Sequence, residues 1–545
     1  MKWTRRILIA VIILAGLITA VWWEENWRGQ KIWEESCARL RAAGEPVDIA
    51  DIIPPIIPDE ENVAAAPIFA ELLAASDPNT TRLGLITEGW ATRVSRSGVR
   101  FPTHRPLSPG NLSFLDLWAD SMRKTFPASP PTGPFQSTSD EVLHFYAQFD
   151  GEWNEIHDAL NRPQCRWPLE YKDGLEMKVS YLSCLQQLPV TSRGWIAALA
   201  ASGHEDAYTK SLVSLLELGH RVEQSPANLL SYLVGITMSA VTLQAWQNSL
   251  PLANLSDEQL LSLQLALQKF ALRNALVAVQ NERVMFLHTY IPASSSYLYK
   301  ALTGSCSCGT PSRWPDAPRW VNRVEDTAFH ALFIARPRGW ELADLASFQE
   351  SLVDLSSGIL DSKRDVFVAS KVGDMRTEAL VLADKSGWFT FSRHALEETA
   401  SMHQRILQRA ASFHATVRCA MVWCAAERFR LKYGHFPQAQ EQLVPEFLSA
   451  PLLDPIDGRP LRYSLKDGNR LLVYSLGWDG KDDAGVRGKR TEGDFGWSSD
   501  PAMFSTAEDL ERWKQEDEER AERLAPSKSA PGRPKPKKSK RGTAP

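Results

Sequence analysis

Three aspartates near the C-terminus have the type and spacing of oxygen ligands for a hard cation. The stretch VYSLGWDGKDDAG places Asp479, Asp482 and Asp483 among three glycines, directly after an apolar run typical of a strand. Calcium prefers several oxygen ligands, and close carboxylates repel each other unless a cation or solvent screens them. An EF-hand is excluded, because counting from Asp479 puts Lys481 at the third position and Arg490 at the twelfth. The alternative is a solvated turn without an ion, since Asp and Gly favour turns for backbone reasons alone.

The elements that would position this loop are a long helix and a hairpin. Apolar residues recur at helical spacing from Ile406 to Leu431, and Gly434 is placed to end the helix in a left-handed conformation. Asp467 and Gly468 then stand between two alternating apolar runs, which is the strongest local signal for a tight hairpin. The sequence therefore predicts a small α+β region that ends in the Asp-rich loop.

The order of these elements resembles the globular part of type II secretion major pseudopilins. In that family a long helix ends in a Tyr-x-x-x-Gly-x-Tyr-Pro-like signature, and an Asp-Pro-x-Gly-x-Pro-like turn and a Tyr-Ser-x-Gly-x-Asp-Gly loop follow. The resemblance covers about 405 to 496 and lies in the stretches FRLKYGHFPQAQEQLVPEFL, LLDPIDGRPLRYSL and VYSLGWDGKDDAG. It implies a pseudopilin-like domain with a long helix packed on an antiparallel hairpin.

In pseudopilins the loop after the last paired strands binds calcium through aspartates and main-chain carbonyls. The resemblance implies backbone ligands at Ser475 and Leu476 and a carboxylate ligand at Asp479, which matches the family's Asp-Gly step. It extends to Asp483, which comes earlier than the usual downstream acids, and to Asp494, which resembles a later closing acid. These five residues are the expected Ca²⁺ ligands.

The chain departs from that family before its long helix. Pseudopilins start with a processing signal and an apolar helix that continues into the globular domain. Here the segment before Met402 is polar, and the apolar span lies far upstream without the processing motif. We therefore do not expect this module to enter a secretion fibre. The whole arrangement resembles uncharacterised membrane-anchored bacterial proteins, a likeness that implies no activity.

A membrane span is predicted at the N-terminus. Residues 7–23 carry no charge, and such a helix of 17 residues covers about 26 Å, with tryptophans near both ends as interfacial anchors. Lys2, Arg5 and Arg6 precede the span, so the positive-inside rule places the bulk outside the cytoplasm. A signal peptide cleaved after Ala20 is the alternative. We expect a single-pass protein of the inner (cytoplasmic) membrane with an extracytoplasmic bulk.

The expected fold class is mainly α: a transmembrane helix, a helical bundle or array, and then the small α+β pseudopilin-like domain. A second apolar stretch, between 224 and 256, is interrupted throughout by polar side chains, so it predicts a buried core helix instead of a second span. Ser256 and Gln259 form a capping-box signal after it. The predicted segments are a cytoplasmic stub (1–6), the span (7–23), a juxtamembrane and Pro-rich segment (24–67), a mainly helical domain (68–400), the pseudopilin-like domain (401–500), a charged helix (501–524) and a disordered basic tail (525–545).

Charge and cysteine content add little about partners. The net charge of -4 gives no global attraction to nucleic acid, and no specific nucleic-acid partner is predicted. The basic tail, including Lys535 and Arg541, is expected to contact anionic envelope polymers in a salt-sensitive way or to act as a solubilising tail. Cys306 and Cys308 could form a small loop disulfide or stay free thiols.

No catalytic motif stands out in the sequence. The stretch GHEDAY lacks the second histidine of a zinc-protease helix, and there is no Gly-x-Ser-x-Gly nucleophile elbow. We therefore expect a structural or interaction protein of the bacterial envelope that contacts the bilayer through 7–23 and binds envelope protein partners. The alternatives are an envelope enzyme with an unrecognised site in the helical domain, and an auxiliary component of a type II secretion-like system.

Overall fold

The first helix, α1, continues from the apolar N-terminus into the body of the fold. It runs unbroken from Lys2 to Ala42 and so contains the predicted span and part of the predicted juxtamembrane segment. Its most apolar window is fully exposed, whereas Cys37 and Leu40 near its end are buried. The computed structural model describes residues 2–87, 113–125, 135–224, 228–291, 336–385, 391–486 and 493–500, with shorter pieces up to 515.

The proline-rich segment after α1 lies against the helical body. Ile52 and Val63 are buried, and the Val63 amide donates a hydrogen bond of 2.9 Å to the carbonyl of Gln164. The helices of this body are α2 (Ile49–Ile52), α3 (Pro67–Ala74), α4 (Ser113–Thr125), α5 (Thr138–Tyr146), α6 (Asp150–Leu160), α7 (Tyr181–Thr191), α8 (Arg193–Ala201), α9 (Glu205–Glu223), α10 (Leu229–Ser249), α11 (Asp257–Leu267) and α12 (Arg273–Tyr290).

Helix α10 is the second apolar stretch, and it lies inside the body. Its most apolar window is 67% buried, between α9, α7 and α8. Ser239 and Thr242 are buried and donate to the carbonyls of Gly235 and Met238, so these two hydroxyls are satisfied within the helix. This burial agrees with the predicted core helix. The capping box of Ser256 and Gln259 at the start of α11 is confirmed.

The C-terminal part is built on the longest helix of the described chain. The elements after residue 336 are α13 (Arg338–Ser356), β1 (Leu360–Asp361), β2 (Val366–Phe367), α14 (Ala369–Lys385), α15 (Phe391–Tyr433), β3 (Arg462–Lys466), β4 (Arg470–Ser475) and β5 (Phe495–Ser498). Strands β3, β4 and β5 form one antiparallel sheet in that order. The hairpin turns at Asp467 and Gly468, both at positive φ, and α15 is followed by Gly434 at φ 80°, as predicted.

The sheet and the helical body share one hydrophobic core. Trp246 on α10 packs against Trp497 on β5, with ring centroids 4.9 Å apart, and against Trp423 on α15. The Gln247 side-chain amide donates to the carbonyl of Gly496 at 3.2 Å. The boundary predicted at 400/401 falls inside α15, which contacts α11, α13 and the sheet. The fold is mainly α, as expected, with small antiparallel sheets.

Residues 505–545 form a separate unit. Most of the predicted charged helix over 501–524 and the whole basic tail lie outside the described residues, as do Cys306 and Cys308. Among the described cysteines, Cys37, Cys165, Cys419 and Cys424 are free thiols.

Candidate functional site

The Asp-rich loop connects β4 to β5 and is closed by Asp494. This residue directly precedes β5, and its Oδ2 atom accepts hydrogen bonds from the amides of Asp483 (3.0 Å) and Gly485 (2.8 Å). The Asp494 amide donates to the carbonyl of Val486 at 3.0 Å. Asp483 and Asp494, two of the predicted ligands, are therefore brought together.

The second carboxylate oxygen of Asp494 is the most unusual atom of the loop. Asp494 is 1% exposed, and its Oδ1 atom has no hydrogen-bond partner among the described residues. Burial raises the pKa of this carboxyl, and the neighbouring carboxylates of Asp482 and Asp483 raise it further. A buried carboxylate oxygen without a partner costs free energy unless a proton or a cation neutralises it. The donor set is hard oxygen, which fits calcium.

Ser475 and Leu476 face a different carboxylate, that of Asp454. The Ser475 hydroxyl donates to Oδ1 at 2.8 Å, and the Leu476 amide donates to Oδ2 at 3.0 Å. The Ile456 amide (2.9 Å) and the Arg462 guanidinium (2.7 Å) complete four hydrogen bonds to this fully buried side chain. Asp454 therefore fixes the start of the loop to the preceding turn.

Asp454 was not among the predicted site residues, although its Asp-Pro turn carried part of the pseudopilin resemblance. A buried carboxylate that accepts backbone amides organises the chain around it, and nothing local in the sequence distinguishes it from a solvated turn aspartate.

Asp479 is exposed, unlike the buried Asp454 and Asp494. Its Oδ1 atom accepts from the Lys481 amide at 3.2 Å, within a turn closed by the Gly480 amide and the Gly477 carbonyl. The Trp478 indole nitrogen donates to the carbonyl of Gln408 on α15 at 3.3 Å and holds the loop on the helix. Within the described ranges, no three or more His, Cys, Asp or Glu side chains are grouped as metal ligands.

A second candidate site is a cavity of about 570 Å³ between α6, α9 and α11. His157 and Ser214 line it and share a hydrogen bond of 2.5 Å between Nδ1 and Oγ. Burial and the charge of Lys210 lower the pKa of His157 to about 4, so the imidazole is neutral at pH 7. A neutral imidazole against a hydroxyl is the pairing by which a general base activates a serine nucleophile.

Charged side chains, among them Glu217 and Lys269, also line this cavity. Glu217 is buried and forms ion pairs with Lys269 at 2.6 Å and Arg221 at 2.8 Å. His157 and Ser214 are 57 residues apart and belong to two different helices. No sequence motif joins them, which is why sequence reasoning missed this pair.

Comparisons of the chain with protein-family models, with curated proteins and with solved structures found no match.

Proposed function

We propose that this protein is a single-pass structural or interaction protein of the bacterial envelope, anchored in the inner membrane with its bulk outside the cytoplasm. The supporting observation is α1, whose apolar window is fully exposed while its C-terminal part is packed in the body. An exposed apolar helix of this length is unfavourable in water and has the length of a bilayer span. The lysine and arginines before the span favour a cytoplasmic N-terminus.

Membrane extraction and topology mapping test this proposal together. We expect the full-length protein to stay in the membrane fraction after carbonate washing and to be digested by protease added to spheroplasts. A chain that begins after Ala20, or one protected from external protease until the cells are lysed, would contradict the anchor or its orientation.

The C-terminal part is proposed to act as a pseudopilin-like module with calcium in its Asp-rich loop. The long helix, the hairpin and the closing Asp494 support this proposal, and the Asp494 oxygen without a partner among the described residues would offer a position for the ion. The carboxylates of Asp482 and Asp483 would supply further negative charge around the ion, and main-chain oxygens of the loop would be additional ligands. A bound ion would hold the loop in one conformation as a surface for an envelope protein partner.

An envelope enzyme is a second candidate function, because His157 and Ser214 pair in the wall of the 570 Å³ cavity. A fluorophosphonate probe tests it, since a nucleophilic serine displaces fluoride from phosphorus and keeps the label. Labelling that is lost in Ser214→Ala and kept in Ser262→Ala, a serine in the same cavity, would support an enzyme. Equal labelling of both variants, or none in the native protein, would remove this candidate.

A further inference from the structure

Helix α13 begins against α1 just beyond the predicted span. The Asn26 side-chain oxygen accepts the backbone amide of Gly339 at 2.8 Å, so α1 caps the first turn of α13. The Trp340 indole nitrogen donates to Glu25 Oε2 at 2.8 Å. Two hydrogen bonds thus fix the start of α13 to residues that follow Trp23 by two and three positions.

The two helices touch through their backbones at this point. A Cβ atom placed on Gly29 would lie 1.9 Å from the carbonyl oxygen of Gly339, and one on Gly339 would lie 1.9 Å from that of Glu25. Further along, the Gln349 side-chain amide donates to the Ser36 hydroxyl at 3.0 Å. Residue numbers rise together along both helices, so α1 and α13 run parallel, and the N-terminus of α13 points toward the span.

The height of this contact follows from helix geometry. Glu25 and Asn26 lie about 3 and 4.5 Å beyond Trp23 along the axis of α1, at 1.5 Å per residue. The headgroup region of a bilayer extends about 5–7 Å beyond the hydrocarbon on each side. When residues 7–23 span the bilayer, the first turn of α13 therefore lies within the headgroup layer.

The side chains at this height suit that layer. Trp340 is 46% exposed, and Trp22, Trp23 and Trp27, which are close in sequence to its partner Glu25 on α1, are exposed as well. Indole rings concentrate at membrane interfaces because one edge is apolar and the N–H is a donor. The first turn of a helix also carries partial positive charge, which favours phosphate groups.

We infer that the first turn of α13, with Trp340, forms a membrane-contact surface that docks on the phospholipid headgroups of the leaflet from which α1 emerges. This inference rests on the proposed anchor. It makes the bilayer a partner of the folded body as well as of α1, and it holds that body directly on the membrane surface.

Photocrosslinking of the full-length protein in phospholipid nanodiscs tests the inference. Benzoylphenylalanine replaces Trp340, and in separate variants it replaces Leu14 in the span or Leu265, an exposed residue of α11. We expect lipid adducts at 340 that approach those at 14 and exceed those at 265 by about tenfold, as measured by mass spectrometry.

The outcomes separate the inference from the anchor. If the variant at Leu14 forms lipid adducts but the variant at Trp340 forms no more than the variant at Leu265, the membrane-contact surface is overturned and the anchor stays intact. No adducts at 14 would overturn the anchor itself. Quenching of tryptophan fluorescence by brominated phospholipids gives a second measurement, with the milder substitution Trp340→Phe. This variant should lose part of the tryptophan emission that the brominated lipid quenches. An unchanged quenched fraction would contradict the docking.

Discussion

At the scale of single residues, the C-terminal module contains two buried aspartates in opposite situations. Asp454 accepts four hydrogen bonds through both oxygens, whereas Asp494 uses one oxygen and leaves the other without a partner among the described residues. The first carboxylate organises structure and needs nothing further. One oxygen of the second carboxylate is buried without a hydrogen-bond partner among the described residues, so we expect a bound cation to stabilise the folded protein there.

Calcium should therefore stabilise the full-length protein through Asp494. At a calcium concentration of 100 times Kd, one site that binds only the folded state adds about 2.7 kcal/mol to the free energy of unfolding. Asp494→Asn should abolish this gain because the amide lacks the negative charge. The measurement is the melting temperature in detergent with calcium and with chelator.

Asp467→Asn is the matched control, since Asp467 is an exposed hairpin aspartate outside the loop. It should keep the full calcium shift. An absence of any shift at millimolar calcium, or an equal shift in both variants, would remove the calcium proposal.

The buried histidines of α15 should make stability depend on pH. Burial and the charge of Arg418 lower the pKa of His414 to about 3, below its ordinary value near 6.5. The folded state thus prefers the neutral ring, and this stabilisation is fully present above pH 6.5 and is lost as pH falls toward 3. It should decrease by up to about 1.4 kcal/mol per pH unit in that window.

The clean readout is the stability difference between the native protein and His414→Gln at each pH. Buried carboxyls such as Glu223, whose pKa is raised by burial, act in the opposite direction and cancel in this difference. We expect the native advantage to shrink between pH 7 and pH 5 in denaturant titrations. A constant difference would show that His414 does not titrate in this way.

At the scale of elements, the contact between α1 and α13 depends on two glycines. Gly339→Ala would place a methyl group 1.9 Å from a backbone oxygen, so the helices must separate. We expect a loss of about 1–3 kcal/mol in the free energy of unfolding, the usual range for overpacking. Denaturant unfolding in detergent measures it.

Gly373→Ala is the matched control because a Cβ at Gly373 on α14 meets nothing within 4 Å. There the higher helix propensity of Ala should add up to about 1 kcal/mol. A Gly339→Ala variant as stable as the native protein would show that the two backbones are less close than described.

Local elements were predictable where local chemistry decides them. The hairpin at Asp467 and Gly468, the helix end at Gly434 and the capping box at Ser256 all follow from backbone preferences within a few residues. The continuation of α1 beyond the span was not predicted, because residues such as Cys37 become core only against α13, which is distant in sequence. The pairing of His157 with Ser214 was missed because the two residues are 57 positions apart, and Asp454 was missed because a buried turn aspartate has the same local sequence pattern as a solvated one.

At the scale of the whole molecule, residues 401–500 depend on the helical body. Trp423 and Trp497 pack on Trp246, and the Gln264 side chain on α11 donates to the carbonyl of Phe447 at 2.8 Å. An isolated 402–500 fragment would expose these surfaces to water. We expect it to lack a cooperative thermal transition by circular dichroism, whereas the chain from 2 to 504 should melt cooperatively. A cooperatively melting fragment would show that the module folds alone.

Helix α1 continues from the span into the body without a break, so the orientation of the body depends on the thickness of the membrane. The apolar part of α1 covers about 26 Å, slightly less than a typical hydrocarbon layer of about 30 Å. A thin bilayer makes such a helix lean, and a thick one draws it upright or pulls the headgroups inward. Because α1 and α13 are in backbone contact at Gly29 and Gly339, the body should tilt together with α1 when the thickness of the bilayer changes.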